Sequence, residues 1–311
     1  MNNLIGDRKE KSALDEMIEV AKEFNEECRE EERKERIEEE RRRRAGIIAK
    51  TEETIKNYSE DARTFLEKVN NIKKDISGLY YDGEKDFELI RITSVRSTAS
   101  IAIANFLAGD KLKAAECFGD IAVNLGRDQG MIGRHEKLFT NLSEAYTADN
   151  AYMAIYCFLE GSSGDGKDIL DEIEKRIHKI NTRAHSYYTP GEKKEGCFLS
   201  NQSLMYIART YAGQQLEAYY QHLKGLRQAH GMYDNYNDVM NTKTSLETTK
   251  ATASMAFLAC LYNDKEHARE ILELLKKSCR TDSGLYKASH KDNAIYTEDN
   301  ALVAIASFLS A

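Results

Sequence analysis

The chain has 311 residues, of which 41% are hydrophobic and 31% charged, and it contains one proline and no tryptophan. These fractions are typical of a water-soluble protein with a sizeable core, and the scarcity of proline favours long uninterrupted helices. The formal net charge of −7 disfavours general nucleic-acid binding. No segment has the apolar core of a secretion signal or the length of a membrane span, and the cysteines show no CxxC pattern. We therefore expect a cytoplasmic protein with reduced thiols and no membrane partner.

Residues 1–46 differ from the rest of the chain and predict a charged helical arm, separate from a body over residues 47–311. Apolar residues recur at helical spacing over residues 13–24. Glutamates at 38–40 precede arginines at 42–44 by four positions, the favourable order for ion pairs on a helix. We interpret this run as a solvated face and not as a phosphate site. The apolar stripe needs a covering surface, so residues 9–45 are a candidate for contact with the body, a protein partner or a second copy.

From residue 47 onward the chain repeats a unit of about 50 residues, which is the signature of a repeat architecture. Each unit has an amphipathic helix with one apolar stripe, a glycine turn, a short loop, and a helix that is apolar on nearly all sides and therefore buried. The first amphipathic helix is predicted over about residues 49–73. The glycine turns stand at Gly78, Gly130, Gly231 and Gly284, with a degenerate copy at residues 186–188.

Alternating outer and inner helices predict an all-α fold, an α/α toroid of five to six helical hairpins. An open solenoid of hairpins is the alternative. Short connections such as Ala108-Gly109-Asp110 would make each inner helix and the next outer helix an antiparallel hairpin. The last inner helix is too apolar to face water as the cap of a solenoid. We therefore favour a closed ring, in which that helix packs against the first outer helix.

Two inner helices begin with near copies of one segment, Tyr146-Thr-Ala-Asp-Asn-Ala151 and Tyr296-Thr-Glu-Asp-Asn-Ala301. Each copy continues to Ala-Ile and Phe-Leu, and a Gly-Leu-Tyr motif belongs to the same repeat. This pattern resembles the six-hairpin glycosidase superfamily and, more distantly, the toroids of terpenoid cyclases and protein prenyltransferases. The resemblance implies a glycoside hydrolase, lyase or epimerase, with its substrate in the mouth of the ring at the N-terminal ends of the inner helices. The absence of tryptophan departs from the aromatic sugar clefts of that group.

Asp149 and Asp299 stand at the same position of the two copies and are the predicted catalytic residues. Two carboxylates that face one cavity at roughly 5–10 Å can act as acid and base on a glycosidic bond. The alternative is purely structural, because Thr147 or Thr297 as N-cap and an aspartate in the first turn would satisfy free N–H groups and the helix dipole. The equivalent residues of the other repeats are Ser97, Asn201 and Ala251.

Further polar residues would line the same mouth and bind the substrate. Arg96, Lys250 and Glu298 are equivalent to one another, one position before the aspartates, and would form a site for an anion or a sugar acid. The loops before the inner helices add acids such as Asp82 and histidines suited to proton transfer. The predicted substrate-binding residues are Tyr80, Arg96, His135, Tyr146, Asn201, Tyr233, Lys250, His290, Tyr296 and Glu298.

We expect neither a metal nor a cofactor. Residues 161–168 match the spacing of a nucleotide-binding P-loop, but Asp168 replaces the Ser or Thr that would bind magnesium. A helix and not a strand is predicted before this segment, so we interpret it as a hairpin turn.

Two functional hypotheses follow from these residues. The first is a carbohydrate-active enzyme with its site at the mouth of the ring and a sugar or another small molecule as ligand. The alternative is a non-catalytic toroid that serves as a binding or assembly module through its N-terminal arm. Convergent carboxylates and tyrosines that line an open cavity would favour the enzyme. A cavity plugged by side chains, or acids bonded only to their own helices, would favour the module.

Overall fold

The computed structural model describes residues 60–72, 74–75, 78–85, 88–124, 127–128, 131–132, 147–176, 198–237, 242–244 and 248–311. The predicted arm, residues 1–46, lies outside these ranges, as do the first residues of the predicted outer helix and the turn at Gly130. The helical arm, its partner and its boundary therefore stay predictions.

Helices dominate the described residues. In chain order they are α1 (Glu60–Asn70), α2 (Val95–Leu107), α3 (Lys111–Asn124), α4 (Thr147–Glu160), α5 (Ser163–Arg176), α6 (Leu199–Tyr211), α7 (Glu217–Lys224), α8 (Thr248–Leu261), α9 (Lys265–Cys279) and α10 (Thr297–Ser310). The even-numbered helices are the inner set, and nearly every residue of each is buried. The odd-numbered helices are the outer set, and α3 and α9 each bury a single face. This division follows the predicted alternation of apolar and one-striped helices.

The inner helices form a closed ring. Each packs against two others, in the order α2, α4, α6, α8, α10 and back to α2, and α10 also packs against α1. The predicted all-α toroid is confirmed and the open solenoid is excluded. Within the described residues the ring closes with five inner helices, because α10 contacts α2 directly. None of the helices in this part of the chain combines the length and apolarity that crossing a bilayer requires.

Short strands, which the sequence pattern does not predict, lie in the segments that lead into the inner helices. They are β1 (Tyr81–Lys85), β2 (Glu88–Thr93), β3 (Arg127–Asp128), β4 (Met131–Ile132), β5 (Asn235–Asn237), β6 (Thr242–Thr244) and β7 (Ile295–Tyr296). β3–β4 and β5–β6 are antiparallel pairs. β1 pairs with β2 and with β7 in an antiparallel three-stranded sheet, with Gly83 opposite Tyr296. This sheet joins the segment before α2 to the segment before α10, where the ring closes.

Tight turns connect each inner helix to the following outer helix. After α2, Gly109 has a φ of +88°, its N–H bonds the Phe106 carbonyl, and the Asp110 N–H bonds the Asn105 carbonyl. This pair of bonds is the Schellman ending of a helix, which requires a residue in the left-handed region. After α8 the same place is taken by Asn263, with a φ of +62°. Asparagine tolerates this conformation better than most residues, so the repeat survives without glycine there.

The segment with P-loop spacing is part of a hairpin between α4 and α5. The turn comprises residues 161 and 162 only, and α5 begins at Ser163, so the predicted turn is shorter than expected. A Cβ on Gly166 would lie 3.0 Å from the Phe158 ring and 3.1 Å from the Ala154 carbonyl oxygen. Glycine here allows α4 and α5 to approach closely, and a helix precedes the segment, as predicted.

The described cysteines are free thiols. Cys117, Cys157 and Cys279 are buried and Cys260 is half-buried. Burial raises the pKa of Cys260 to about 12, so this thiol stays protonated and weakly nucleophilic at neutral pH. Three of the four thus agree with the predicted buried, reduced thiols.

A buried histidine lies in the outer wall, on α9. His267 is 6% exposed, and its Nε2 lies 3.0 Å from the hydroxyl of Tyr233. Burial lowers the pKa of His267 below its ordinary 6.5, and the charge of Lys224 lowers it further against the opposing effect of Asp264. The folded state therefore holds this imidazole neutral.

This histidine predicts a pH-dependent stability. Between pH 6.5 and the lower pKa of the folded state, the unfolded chain binds a proton at His267 that the folded protein does not, so stability falls as the pH falls. In His267→Gln the amide can still bond Tyr233 but takes up no proton. Denaturation by urea at pH 7.5 and at pH 5.5 should show a smaller loss of stability in the variant than in the parent. Equal losses in the two proteins would contradict the prediction.

Candidate functional site

Four of the predicted residues meet at the N-terminal ends of the inner helices. Arg96 Nε on α2 donates to Asp149 Oδ1 on α4 at 2.8 Å, and Arg96 Nη1 lies 3.8 Å from Glu298 Oε2 on α10. Lys250 Nζ on α8 lies 2.9 Å from the same Glu298 oxygen. We call Arg96, Asp149, Lys250 and Glu298 the mouth network. Each of its contacts joins two different helices, so these acids are not bonded only to their own helix.

The mouth network is almost fully buried. The exposed fractions of the side chains are 15% for Arg96, 0% for Asp149, 7% for Lys250 and 6% for Glu298. Both cations lie in the first turn of a helix, where the positive end of the helix dipole opposes them. Buried cations in such positions are stable only when carboxylates compensate them, which is what Asp149 and Glu298 do.

The network fixes the protonation of its members. Burial alone would raise the pKa of Glu298, but the charges of Lys250 and Arg96 outweigh burial and hold this pKa below its ordinary value. Burial alone would lower the pKa of Arg96, but Asp149 and Glu298 outweigh it and raise this pKa. Glu298 is therefore an ionised carboxylate at neutral pH, suited to act as a base, a nucleophile or a stabiliser of positive charge.

Tyr152 connects this network across the ring. Its hydroxyl on α4 donates to Glu298 Oε1 at 3.0 Å. The helices α4 and α10 are not neighbours, since α2 lies between them in the ring. Burial and the charge of Glu298 raise the pKa of Tyr152 well above its usual range, so it remains a hydrogen-bond donor. Buried side chains therefore fill the centre of the ring at this level.

Asp82 belongs to the same site, although the sequence analysis treated it only as one of several loop acids. Its Oδ1 accepts hydrogen bonds from the hydroxyls of Ser94 and Ser97, the latter at 2.7 Å. Its charge also contributes to the raised pKa of Arg96. The strand β1 places Asp82 here, so the signal that sequence reasoning lacked was the strand.

The two predicted catalytic aspartates occupy different surroundings. Asp149 belongs to the mouth network, and its second carboxylate oxygen is buried and accepts no hydrogen bond from the described residues. Asp299 is 2% exposed, and its Oδ2 is likewise buried without a hydrogen bond from the described part of the chain. The carboxylate that shares Arg96 with Asp149 is the preceding residue, Glu298. Their catalytic roles remain predictions.

The predicted capping by Thr297 is wrong. The N-cap of α10 is Tyr296, and Thr297 is the first helical residue. The Thr297 hydroxyl donates to the Tyr81 carbonyl at 2.6 Å, so it ties α10 to the strand β1. Threonine at this position thus stabilises the closure of the ring instead of capping its own helix.

Tyr80 and Tyr233 have a structural role in the wall. Their backbone N–H groups donate to the hydroxyls of Thr98 and Thr252, and the Tyr286 N–H donates to Asn300 Oδ1, each at 3.0 Å or less. These three acceptors are equivalent residues of successive inner helices. The Tyr233 hydroxyl donates to the Lys224 carbonyl of the outer helix α7. These contacts account for the Tyr233 side chain and for Asn300 of the duplicated segment without a ligand.

The remaining predicted residues lie apart from the network or outside the described residues. His290 is exposed, with its ring 6.5 Å from that of His230. Tyr296 belongs to β7, and Asn201 is buried in the first turn of α6. His135 and Tyr146 lie outside the described residues. In the part of the chain that the structure describes, no three His, Cys, Asp or Glu side chains are grouped so as to hold a metal ion.

Comparisons with known proteins identify the fold. No protein-family model matches the sequence, and no curated protein matches it. Among solved structures, an α-amylase from Clostridium perfringens is 13% identical with a TM-score of 0.57, and the match covers 80% of this chain and 97% of that one. An endo-β-1,4-glucanase from Acetobacter xylinum is 8% identical with a TM-score of 0.52, covering 81% and 98%. The predicted resemblance to six-hairpin glycosidase toroids is thus confirmed as a likeness of fold.

Proposed function

We propose that the protein is a carbohydrate-active enzyme whose site lies at the mouth of the ring, above the mouth network. The observation that carries the proposal is the convergence of Glu298 with Lys250 and Arg96 at distances of 2.9 and 3.8 Å. These contacts involve residues of three inner helices. A residue that only caps its own helix would need no partner on the other two. Two solved structures with this fold are described as an α-amylase and an endo-β-1,4-glucanase, which supports a glucan as the substrate class.

Glu298 is the best candidate for the reacting carboxylate. Its lowered pKa keeps it ionised, as a base, a nucleophile or a stabiliser of an oxocarbenium-like transition state must be. Tyr152 and Lys250 bind its two oxygens and so fix the orientation of the carboxylate. Asp149 would hold Arg96 in place and offer its second oxygen to a ligand hydroxyl, which would offset the cost of burying that oxygen without a donor.

The charge balance favours a neutral sugar over a sugar acid. Arg96 and Lys250 are each within 4 Å of a carboxylate, so two positive charges meet two negative ones in the network. The charge of Asp82 also acts on Arg96 and raises its pKa. An anionic ligand would have to compete with these acids, so the anion site suggested by the equivalence of the three positions is not the favoured interpretation.

The test is turnover of neutral glucans. The parent protein is incubated with maltohexaose and cellohexaose, and reducing ends are measured. We expect one of them to be cleaved, with turnover lowered at least about 100-fold by Glu298→Gln, since a variant without the reacting carboxylate cannot form the same transition state. Asp149→Asn and Asp299→Asn, assayed in parallel, would show which predicted aspartate matters.

The matched control is Glu266→Gln, a carboxylate on the exposed side of α9. It should turn over substrate at the parent rate. Each variant is assayed at a temperature where circular dichroism shows it to be folded. No cleavage and no calorimetric binding of either glucan by the parent would overturn the proposal.

One observation favours the alternative, a non-catalytic toroid. The Tyr152–Glu298 hydrogen bond crosses the ring, and the positive and negative charges of the network balance. Both features are expected of a network whose role is to stabilise the packing of the inner helices. On this hypothesis the network variants would change stability alone. Loss of stability without any glucan binding to lose would support the module, and its partner would then be sought among proteins that bind residues 9–45.

A further inference from the structure

A groove runs along the outside of the ring between α1 and α9, with the end of α10 as its floor. Its volume is about 390 Å³, within the range of small-molecule sites. It is lined by the cations Lys68, Arg269, Lys276 and Arg280, whereas the acidic side chain of the lining is Glu273. The groove is separate from the mouth network, because α10 contributes Ser307 and Ser310 to the groove and Glu298 to the network.

Two of these cations converge at one end of the groove. A Cβ built on Gly284 would lie 2.5 Å from Lys68 Nζ and 3.5 Å from Arg280 Nη2, so these two nitrogens are at most about 6 Å apart. Lys68 Nζ donates to the Ser283 carbonyl at 2.9 Å. Among the described residues, neither Lys68 nor Arg280 has a carboxylate within 4 Å. Like charges this close repel each other unless an anion lies between them.

The other charged residues of the lining do not neutralise this pair. Arg269 donates to the main-chain oxygens of Ser310 and Ala311. Glu273 lies 3.9 Å from Lys276, and both of these side chains are about half exposed or more. Lys276 therefore adds a third positive charge to the lining of the groove, partly compensated by Glu273.

An apolar surface adjoins the cations. The rings of Phe65 and Tyr286 meet edge to face with centroids 5.4 Å apart, and both residues line the groove. A guanidinium fork with an ammonium beside it is the arrangement that binds phosphate oxygens. We propose that this end of the groove binds the phosphate group of a small phosphate monoester, with the organic part of the ligand against Phe65 and Tyr286.

A structural explanation for the cations exists and can be separated from the proposal. Lys68 and Lys276 lie in the last turns of α1 and α9, where cations stabilise a helix through its dipole. Lys277 lies in the same last turn of α9 and does not line the groove. Lys277 therefore interacts with the helix dipole as Lys276 does, but it cannot contact a ligand in the groove. It serves as the matched control.

The test is calorimetric titration of the full chain with phenyl phosphate at constant ionic strength. We expect saturable binding that Lys68→Gln and Arg280→Gln each weaken about tenfold, the effect of losing one charged hydrogen bond. Lys277→Gln should bind with the parent affinity. Thermal unfolding without ligand verifies that all three variants are folded. Absence of saturable binding, or an equal loss in Lys277→Gln, would overturn the proposal, and neither result depends on turnover at the mouth.

Discussion

Glu298→Gln should lower the free energy of unfolding by about 3–5 kcal/mol, the cost of removing one partner from a buried ion pair. Among the described residues, Lys250 has one carboxylate within 4 Å, that of Glu298. Both side chains are less than 10% exposed. A glutamine keeps the shape but leaves the ammonium buried without a counter-charge. Equilibrium denaturation in urea, followed by circular dichroism, measures the difference.

A double-mutant cycle separates the pair from the general effect of mutation. Lys250→Met combined with Glu298→Gln should be less destabilised than the sum of the two single variants, with a coupling of about 0.5–3 kcal/mol. Methionine has a similar length and needs no counter-charge. Additive effects would show that Lys250 and Glu298 do not stabilise each other in the folded protein.

The pH dependence gives the same pair a second measurement. The pKa of Glu298 is lowered from 4.5 in the folded protein, so its contribution is present above pH 4.5 and is lost as the pH falls through the lower folded value. The parent should therefore lose more stability than Glu298→Gln on acidification below pH 4.5. If both proteins lose the same amount, the carboxylate is not held ionised by its neighbours.

The ring was predictable because the sequence repeats the pattern that produces it, an all-apolar helix after a helix with one apolar stripe. Helices such as α8 are apolar on all sides, and only burial on all sides accommodates them. The turns were predictable for the same reason, since a left-handed residue recurs at one place of each hairpin, as glycine at Gly109 and as Asn263 after α8. Local preference and global fold agree at these positions.

The site was only partly predictable, because its contacts depend on how the ring closes. Tyr152 and Glu298 are 146 positions apart and meet across the ring, which no local pattern indicates. The equivalence of Arg96, Lys250 and Glu298 did indicate that they share one mouth. It could not show that Asp149 pairs with Arg96 while Glu298 lies within 4 Å of both cations. The proposal of a neutral ligand, in place of the anion site that the equivalence suggested, rests on these contacts.

The strands were missed for a different reason. β7 has two residues and β1 has five, too few for a period of two to stand out from a loop. Their pairing is nevertheless where the ends of the ring meet. β1 places Asp82 where it accepts hydrogen bonds from Ser94 and Ser97 at the start of α2. The Tyr81 carbonyl of the same strand accepts a hydrogen bond from Thr297 at the start of α10. Part of the site thus depends on elements that local sequence reasoning does not detect.

Gly83→Ala should test how much this closure contributes, and we expect a loss of at least about 2 kcal/mol in the free energy of unfolding. A Cβ at Gly83 would lie 2.1 Å from the Ile295 carbonyl oxygen and 2.9 Å from the Tyr296 Cα. Both are backbone atoms of β7, so no side-chain rotation can relieve the contact. The strands β1 and β7 must separate, and the bond from Thr297 to Tyr81 is strained with them.

Gly119→Ala is the matched control for this substitution. Gly119 lies inside α3, and a Cβ there would have no atom within 4 Å apart from its chain neighbours and the backbone of its own helix. Alanine is favoured over glycine in a helix interior by roughly 0.5–1 kcal/mol, so this variant should be more stable than the parent. The same change of residue is thus expected to have opposite signs at the two sites. If Gly83→Ala were as stable as the parent in urea denaturation, the β1–β7 pairing would not be what holds the ring closed.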